Sequence, residues 1–496
     1  MMNKSLKEYI RILQEKNLLL KIHCPEEERE VRQITYDSKA AGEGCLFVCK
    51  GAAFKKQYLE DALKKGAFVY VSEKDYEIPG ASFLIVRDVR EAMPYIAQQF
   101  YDIPEDFHCI GITGTKGKTT TAYYLKAVFD EAMEKIGKPG AAFMTTVETY
   151  DGKEKISSGI TTPEAFEIYR HFRNAYDSGI RYMIMEVSSQ ALKYKRVQGI
   201  SFDTAVFLNI SEDHISPIEH ADFDDYFQSK LKIFEQCKTA IICTDSPYAK
   251  EIRQVAEKSK NIVSFGFEEK ADFRGLDVKP MDGKTAFCLK TKEQKEECLL
   301  NMRGKFNVEN ALAVFAVAKE FALPMEDVKK ALERVSVPGR GEEYESADGR
   351  LHVIVDYAHN GFSVQSVLKM ARENWPNRRI VSVFGCTGGK AINRRKDMGL
   401  AAGEWSDYIY LTADDPAKEK VEDICEEIAG YIQSKNGKYE VVPDRKKAIQ
   451  KAIQDAVEPS VILILGKGCE TTQKTEKGNE PYESDAVIAK ETLKKV

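Results

Sequence analysis

Gly111-Ile112-Thr113-Gly114-Thr115-Lys116-Gly117-Lys118-Thr119-Thr120 decides the reading of this chain. The apolar, β-branched run His108–Ile112 leads into it and the amphipathic stretch Thr121–Ala132 follows. That order predicts strand, glycine-rich turn and helix, a geometry in which backbone N–H groups and a helix N-terminus cradle a polyphosphate. Lys118 is placed to offset charge on the β- and γ-phosphates, and the Thr119 hydroxyl to ligate Mg²⁺. Gly114, Thr115, Lys116, Gly117 and Thr120 complete the candidate cradle. The strict pattern G-x-x-x-x-G-K-[ST] is not met, because Ile112 stands where its first glycine belongs. Gly-Lys-Thr-Thr nevertheless sits where strand meets helix. The sequence therefore predicts a protein that binds and consumes a nucleoside triphosphate, against the plainer reading of a βα turn that binds nothing.

The alternation of elements predicts an α/β protein. With 496 residues the chain is long enough for about three domains. Residues 1–103 read as a small α/β domain, with strands at Gly44–Cys49, Phe68–Val71 and Phe83–Val86 and helices at Tyr58–Lys65 and Val89–Tyr101. Residues 104–337 read as a central P-loop domain on a mostly parallel sheet, with strands at Tyr182–Glu186, Thr204–Asn209, Ala240–Cys243 and Ile262–Phe265. Antiparallel strands are expected over Asp272–Asn301 and a helix over Asn307–Phe321. Val337-Pro338-Gly339-Arg340-Gly341 is the next break, with Gly339 a candidate hinge. Residues 338–496 read as a Rossmann-like α/β domain, its strands at His352–Tyr357, Ile380–Phe384, Tyr408–Thr412 and Val461–Leu465.

Composition narrows the class. The 43% hydrophobic and 30% charged content is that of a soluble globular protein. A net charge of −5 argues against a general nucleic-acid-binding surface, so any phosphate site must be local. Eleven cysteines without a CxxC pair point to a reducing, cytoplasmic setting and buried thiols. Met1–Lys21 is charged and lacks an apolar core, and no apolar run approaches the length of a span, so neither signal peptide nor membrane helix is expected.

Three further features gather around the phosphate loop. Met183-Ile184-Met185-Glu186 ends in a carboxylate at the carboxyl edge of the sheet, where ligands of open α/β sheets bind. Glu186 is thus placed to hold Mg²⁺ opposite Thr119, or equally to cap a loop. Ser211-Glu212-Asp213-His214 follows another apolar run, and His214 is a candidate second metal ligand, although a lone loop histidine is most often a surface residue. Tyr226–Phe234 is helical in period. Within it Lys230 reads simply as a lysine near aromatics, its stem lying along apolar surface.

Taken in order, these motifs resemble the Mur ligases, the ATP-dependent enzymes that build the peptidoglycan stem peptide, and within them the branch that adds the third residue. The resemblance rests on Asp37-Ser38 with Leu46-Phe47-Val48, Gly114–Thr120, Thr161-Thr162-Pro163-Glu164, Glu186-Val187-Ser188-Ser189-Gln190-Ala191 and Asn209–His214. It continues through Tyr226–Lys230, Phe306–Ala311, Val337–Arg340, Asp356-Tyr357-Ala358-His359-Asn360 and Gly466-Lys467-Gly468. It implies a monomer that takes ATP, Mg²⁺, UDP-N-acetylmuramoyl-L-Ala-D-Glu and an amino acid. By that resemblance Lys118, Glu186, His214 and Lys230 are catalytic. Lys230 is implied to be carbamylated, an anionic oxygen ligand; Thr119 and Glu186 are implied to hold one Mg²⁺ at the phosphates, and His214, Glu186 and Lys230 a second. Ser38, Thr161, Thr162, Ser188 and Arg196 are implied to hold the nucleotide-linked dipeptide, Arg196 through a bidentate carboxylate pair. Asn307 or Asn310 is implied to read adenine, with Asp356 and His359 near ribose and phosphates. Gln190 departs from the family pattern, which has His there in many members.

The amino acid added is implied by Leu411-Thr412-Ala413-Asp414-Asp415-Pro416-Ala417. Members that add meso-diaminopimelate resemble Asp-Asn-Pro-Arg there, and the Arg pairs with the distal carboxylate. Here that position is Ala417. Asp414 and Asp415 favour a cationic ε-ammonium, which implies L-lysine, with ornithine and diaminopimelate as alternatives. Arg395, beside Arg394, is implied to grip the α-carboxylate, and Glu470 to line the amino-acid pocket. A folylpolyglutamate-synthetase-like ligase would not be expected to carry the Asp37-Ser38 signature. A nucleotide switch would need an [NT]KxD motif, and a degenerate binding protein should have lost Lys118, Glu186, His214 or Lys230. No such motif is present and all four residues are.

Overall fold

The computed structural model describes residues 4–212, 215 and 219–496. It is α/β throughout, built on three sheets and a small hairpin, and the parallel-rich architecture expected from the sequence is present. The first sheet runs, edge to edge, Leu19–His23, Ser82–Val86, Ala67–Ser72, Cys45–Val48 and Gln33–Thr35; only the pairing of the first two strands is antiparallel. Alternation divides its side chains. Phe47, Tyr70 and Ile85 pack with Leu59 on one face, while Leu46, Val48, Val69 and Val71 pack with Leu6, Tyr9, Leu13 and Ile96 on the other. The two outer strands escape a pattern reading because they lack buried alternation. Leu19–His23 is almost wholly exposed, and Gln33–Thr35 is only three residues long.

The second sheet has eleven strands, in the order Lys295–Leu300, Lys284–Lys290, Phe273–Met281, Asn261–Gly266, Cys237–Cys243, Phe202–Phe207, His108–Thr113, Tyr182–Glu186, Ala142–Met144, Glu148–Tyr150 and Lys155–Ser157. Phe273–Met281 through Ala142–Met144 pair in parallel; both outer ends are antiparallel. The helix Lys118–Glu134 begins at the phosphate loop, three residues before the expected Thr121. Tyr124, Leu125, Val128 and Phe129 seat it against Lys305–Glu320, a helix apolar on nearly every side and therefore central to the core. Each fully buried Leu or Phe there contributes roughly 1.5–3 kcal/mol.

The third sheet runs Arg340–Glu345, Leu351–Asp356, Ser460–Leu465, Arg379–Phe384, Tyr408–Leu411 and Tyr439–Val441, and is parallel except at the first pair. A hairpin, Thr472–Thr475 with Gly478–Pro481, stands beyond its carboxyl edge. Phe306, on the central segment's helix, packs against this sheet's core, so the two bodies share apolar contacts. Gly339, the candidate hinge, has φ +64°, and a Cβ there would lie 2.3 Å from the Cys469 nitrogen; its conformation is required by close backbone packing. All eleven cysteines are free thiols, with Cys24, Cys237 and Cys469 partly exposed. Among the described residues, no helix is long and apolar enough to cross a membrane.

Candidate active site

Three adjacent strands deliver the site. His108–Thr113 lies between Tyr182–Glu186 and Phe202–Phe207, with Glu186 opposite Ile112 and Phe207 opposite Thr113. Their carboxyl ends therefore carry the phosphate loop, Glu186 and the segment entering Asn209 side by side, where open parallel sheets bind ligands. Asn209 pins the loop: its carbonyl accepts from Thr115 N at 3.0 Å, and its Oδ1 accepts from Lys116 N at 2.8 Å. Gly117 closes the turn at φ +84°, and a Cβ there would meet Asn310 Oδ1 at 2.3 Å, so only glycine fits between loop and helix. Lys118 Nζ donates to the Gly114 and Thr115 carbonyls at 2.9 and 3.2 Å, folded along the loop it is expected to serve.

The Thr119 hydroxyl donates to Glu186 Oε1 at 2.8 Å. That oxygen also accepts from Thr146 N at 2.9 Å, while Oε2 accepts from the Thr146 hydroxyl at 3.1 Å. Both side chains are buried. A hydroxyl and a carboxylate facing one another at the phosphate-loop helix are hard oxygen donors of the kind Mg²⁺ takes, so this pair fits the cation. Lys230, on the helix Phe223–Leu231, is 2% exposed; its Nζ donates to Gly114 O at 3.0 Å and lies 4.7 Å from the Tyr226 ring centre. The Tyr226 hydroxyl is 3.1 Å from Thr115 Oγ1. A lysine with no distinctive sequence spacing is thus lodged against the phosphate loop. His214 lies outside the described residues.

Two cavities flank the loop. One, of about 540 Å³, is lined by Lys116, Gly117, Thr120, Asn307 and Asn310 from the central segment and by Asp356 and His359 from the C-terminal one. It therefore gathers most of the residues expected at a nucleotide. Burial raises the Asp356 carboxyl against the nearby Arg340 and Lys116 charges. The other, a cleft of about 1230 Å³, is lined by Lys118, Thr161, Thr162, Ser188, Arg196 and Lys230, and extends to Asp415 and Glu470. Thr162 Oγ1 donates to Glu186 O and accepts from Ser188 N, and Arg196 Nη1 donates to Thr162 O. Ser38 is not in either wall; its carbonyl accepts from Lys65.

Arg340 and Tyr357 line both cavities. The guanidinium stacks 4.4 Å from the Tyr357 ring centre, and Nη2 reaches Thr119 Oγ1 at 3.3 Å. Sequence reading placed Arg340 only in a domain break. Its family motif was the available signal, and its role needed the third sheet to be set against the second.

At the far end of the cleft the charges are already organised. Lys467, fully buried, donates from Nζ to Asp415 Oδ1 at 2.9 Å and Glu470 Oε2 at 2.7 Å. Burial opposes its charge, but Asp414, Glu470 and Asp415 outweigh that and raise its pKa. Asp414 lies behind Asp415 and outside the cleft wall; burial pushes its carboxyl up to about 6, with Lys467 and Arg445 opposing. The two neighbouring aspartates thus differ: Asp415 faces the cleft paired to Lys467, and Asp414 acts from the interior. Ala417 sits at φ +53° with its N–H on Lys474 O, and Pro416 O is the close neighbour of Gly388. Arg395 is not brought to this pocket. It is buried and paired with Glu419 at 2.8 Å and Glu427 at 2.7 Å.

Residues 112–318 match the Mur ligase middle domain, and residues 339–468 match the Mur ligase glutamate ligase domain. The UDP-N-acetylmuramoyl-L-alanyl-D-glutamate--L-lysine ligase of Enterococcus faecalis is 37% identical over 478 residues, covering 94% of this chain and 92% of that protein. Among solved structures, a UDP-N-acetylmuramoyl-L-alanyl-D-glutamate--2,6-diaminopimelate ligase superposes with a TM-score of 0.70 at 22% identity, covering 100% of this chain and 99% of the other. The Thermotoga maritima MurF ligase, solved in complex with ADP, superposes with a TM-score of 0.62 at 17% identity, covering 94% and 97%. The last two likenesses establish the shared fold. The two domain matches fall in order across the phosphate loop, both cavities and Lys467, and a relative this similar spans nearly the whole length: the chain belongs to the Mur ligases.

Proposed function

We propose that the chain is an ATP-dependent amide ligase that adds L-lysine to the D-glutamate of UDP-N-acetylmuramoyl-L-Ala-D-Glu, acting in the cytoplasm and releasing ADP and phosphate. The observation that carries this reading is the single cleft running from Lys118 and Lys230 past Arg196 to Asp415 and Glu470. The Enterococcus faecalis relative, named as a lysine ligase, supports lysine over diaminopimelate. So does Ala417, a neutral residue with no means of pairing a second carboxylate.

A carboxylate is a poor electrophile, and both it and the γ-phosphate are anions. Lys118 and the loop N–H groups hold the triphosphate, while Arg340 reaches the same corner from the third sheet. Arg196, Thr162 and Ser188 orient the nucleotide-linked dipeptide. Thr119 and Glu186, with His214 and carbamylated Lys230, would hold Mg²⁺, whose charge screens the two anions from one another. The substrate carboxylate oxygen attacks the γ-phosphorus; the bond to the β-phosphate oxygen breaks and ADP leaves. The neutral α-amine of lysine then attacks the acyl phosphate carbon, and the tetrahedral oxyanion collapses with loss of phosphate. Closure of the third sheet over the cleft keeps water from the acyl phosphate.

The test is an amino-acid panel with ATP and UDP-N-acetylmuramoyl-L-Ala-D-Glu, read by product mass and phosphate release. Lysine should give the dominant product. A product formed only with diaminopimelate or ornithine would reassign the specificity, and phosphate release only with a folate substrate would overturn the reaction.

A further inference from the structure

Glu309 lies in the wall of the 540 Å³ cavity, one residue before the Asn310 that abuts Gly117. Its carboxylate, the Cys243 thiol and an Asp245 oxygen lie within 4.8 Å of one another. The two Asp245 oxygens accept from Phe267 N at 2.7 Å and Glu268 N at 3.1 Å, which fixes that carboxylate in place beside Glu309. Two carboxylates so close cannot both ionise cheaply beside a site built for a polyanion. Glu309 is also hydrogen-bonded to Asn209, the residue that pins Thr115 and Lys116.

We propose that Glu309 is a proton-coupled positioning residue of the nucleotide site: its hydrogen bond to Asn209 steadies that residue against the phosphate loop, its neutral carboxyl admits the triphosphate, and its ionised form repels the nucleotide. The inference rests on the nucleotide-consuming reading above. Burial, first, and Asp245, second, raise the Glu309 carboxyl to about 7; Lys305, Cys243 and Asn209 act the other way. Cys243 remains a thiol, since burial and the two carboxylates push it up. Across the cavity stand Lys116, Arg340, Asp356 and His359. Binding of nucleotide should draw a proton onto Glu309, and apparent affinity should follow the protonated fraction.

The experiment is calorimetric titration of the full chain with Mg²⁺ and a non-hydrolysable ATP analogue, between pH 6 and 8, in two buffers of different ionisation enthalpy. Wild type and Glu309→Gln are compared at each pH, which cancels titration of the nucleotide itself. Gln keeps the hydrogen bonds of the neutral carboxyl and cannot ionise. Wild type should weaken about tenfold relative to Glu309→Gln between pH 6 and pH 8, the change in protonated fraction for a group near 7. It should also take up a proton at pH 8 that the variant does not. Glu309→Ala should lose affinity at every pH, with KM for ATP rising more than kcat falls. Parallel pH profiles and equal proton uptake in wild type and Glu309→Gln would overturn the proposal. Absence of nucleotide binding in both proteins at every pH would overturn the ligase reading as well.

Discussion

Lys118 and Lys230 aim their ammonium groups at one acceptor, the Gly114 carbonyl oxygen, at 2.9 and 3.0 Å. Two unit charges about 5 Å apart repel by about 3 kcal/mol at an effective dielectric of 20. The arrangement therefore favours exchange of one of the two charges. Capture of CO₂ by Lys230 would take one proton from its ammonium and a second from the amine as the N–C bond forms, turning the cation into an oxygen-bearing anion and leaving Lys118 as the cation beside the loop.

Lys230→Ala should accordingly abolish ligation while leaving the fold intact. A small carboxylate such as acetate or propionate should restore part of the activity by supplying the lost anion. The measurement is phosphate release with and without the added acid. Near-native turnover of the variant alone would remove the carbamate from the mechanism.

How far the sequence carried this site depended on whether a residue's role is local. The phosphate loop is a contiguous strand-turn-helix, so its residues were legible one by one. Glu186 was legible because an apolar run ending in a carboxylate implies a sheet edge. Lys230 was not, because its meaning comes from Gly114, 116 positions away, and only the family resemblance singled it out. Asn209 and Arg340 act through partners on other strands and sheets. The edge strands Leu19–His23 and Arg340–Glu345 bury no alternating face for a pattern to reveal. Asp414 and Asp415 were read together as a cation site, yet pairing across the sheet assigns Lys467 to one and burial to the other.

Arg196 presents a second test of the cleft. Its Nε lies 3.0 Å from Glu164 Oε1, and Lys50 Nζ, from the first sheet's segment, lies 2.9 Å from Glu164 Oε2. An internal carboxylate thus already pairs Arg196, the cation expected to meet a substrate carboxylate, and ties it to Lys50. Arg196→Ala should raise KM for the nucleotide-linked dipeptide by about 30- to 150-fold, the loss of about 2–3 kcal/mol from a charge-assisted pair, with a smaller change in kcat. Steady-state kinetics at saturating ATP and lysine reads this directly; an unchanged KM would place the dipeptide elsewhere.

On the proposed reading, Asp414 should make lysine recognition depend on pH. With its carboxyl near 6, it gains a negative charge behind the pocket as pH rises through that value. KM for lysine should therefore rise several-fold as pH falls from 7.5 to 5.5, on the order of the change in ionised fraction. Asp414→Asn should flatten that profile. Stability runs in the opposite direction. The folded carboxyl holds its proton to a higher pH than the unfolded one, near 3.8, so its contribution is full below about pH 4 and is lost as pH rises through 6. The variant should gain stability relative to wild type between pH 5 and 7, checked by thermal melting across that range.

Arg445 is the structural counterpart of that pocket. Buried at the start of the helix Arg445–Gln454, it donates from Nε and Nη2 to Asp485 at 2.9 and 2.6 Å. Nη1 also reaches Ala413 O and Nη2 reaches Leu465 O, the carbonyls just before Asp414 and Gly466. The pair joins two helices and fixes the two strand ends that carry the proposed amino-acid pocket. Arg445→Met alone strands the Asp485 charge in the interior and should cost about 3–5 kcal/mol, whereas Arg445→Met with Asp485→Leu should cost much less, because no unpaired charge remains. Both variants should raise KM for lysine, since both free the carbonyls of Ala413 and Leu465. Denaturant titration with lysine kinetics separates the two effects: equal destabilisation of single and double variants would mean that packing, not charge pairing, holds the corner, and an unchanged KM would mean that the strand ends keep their place without it.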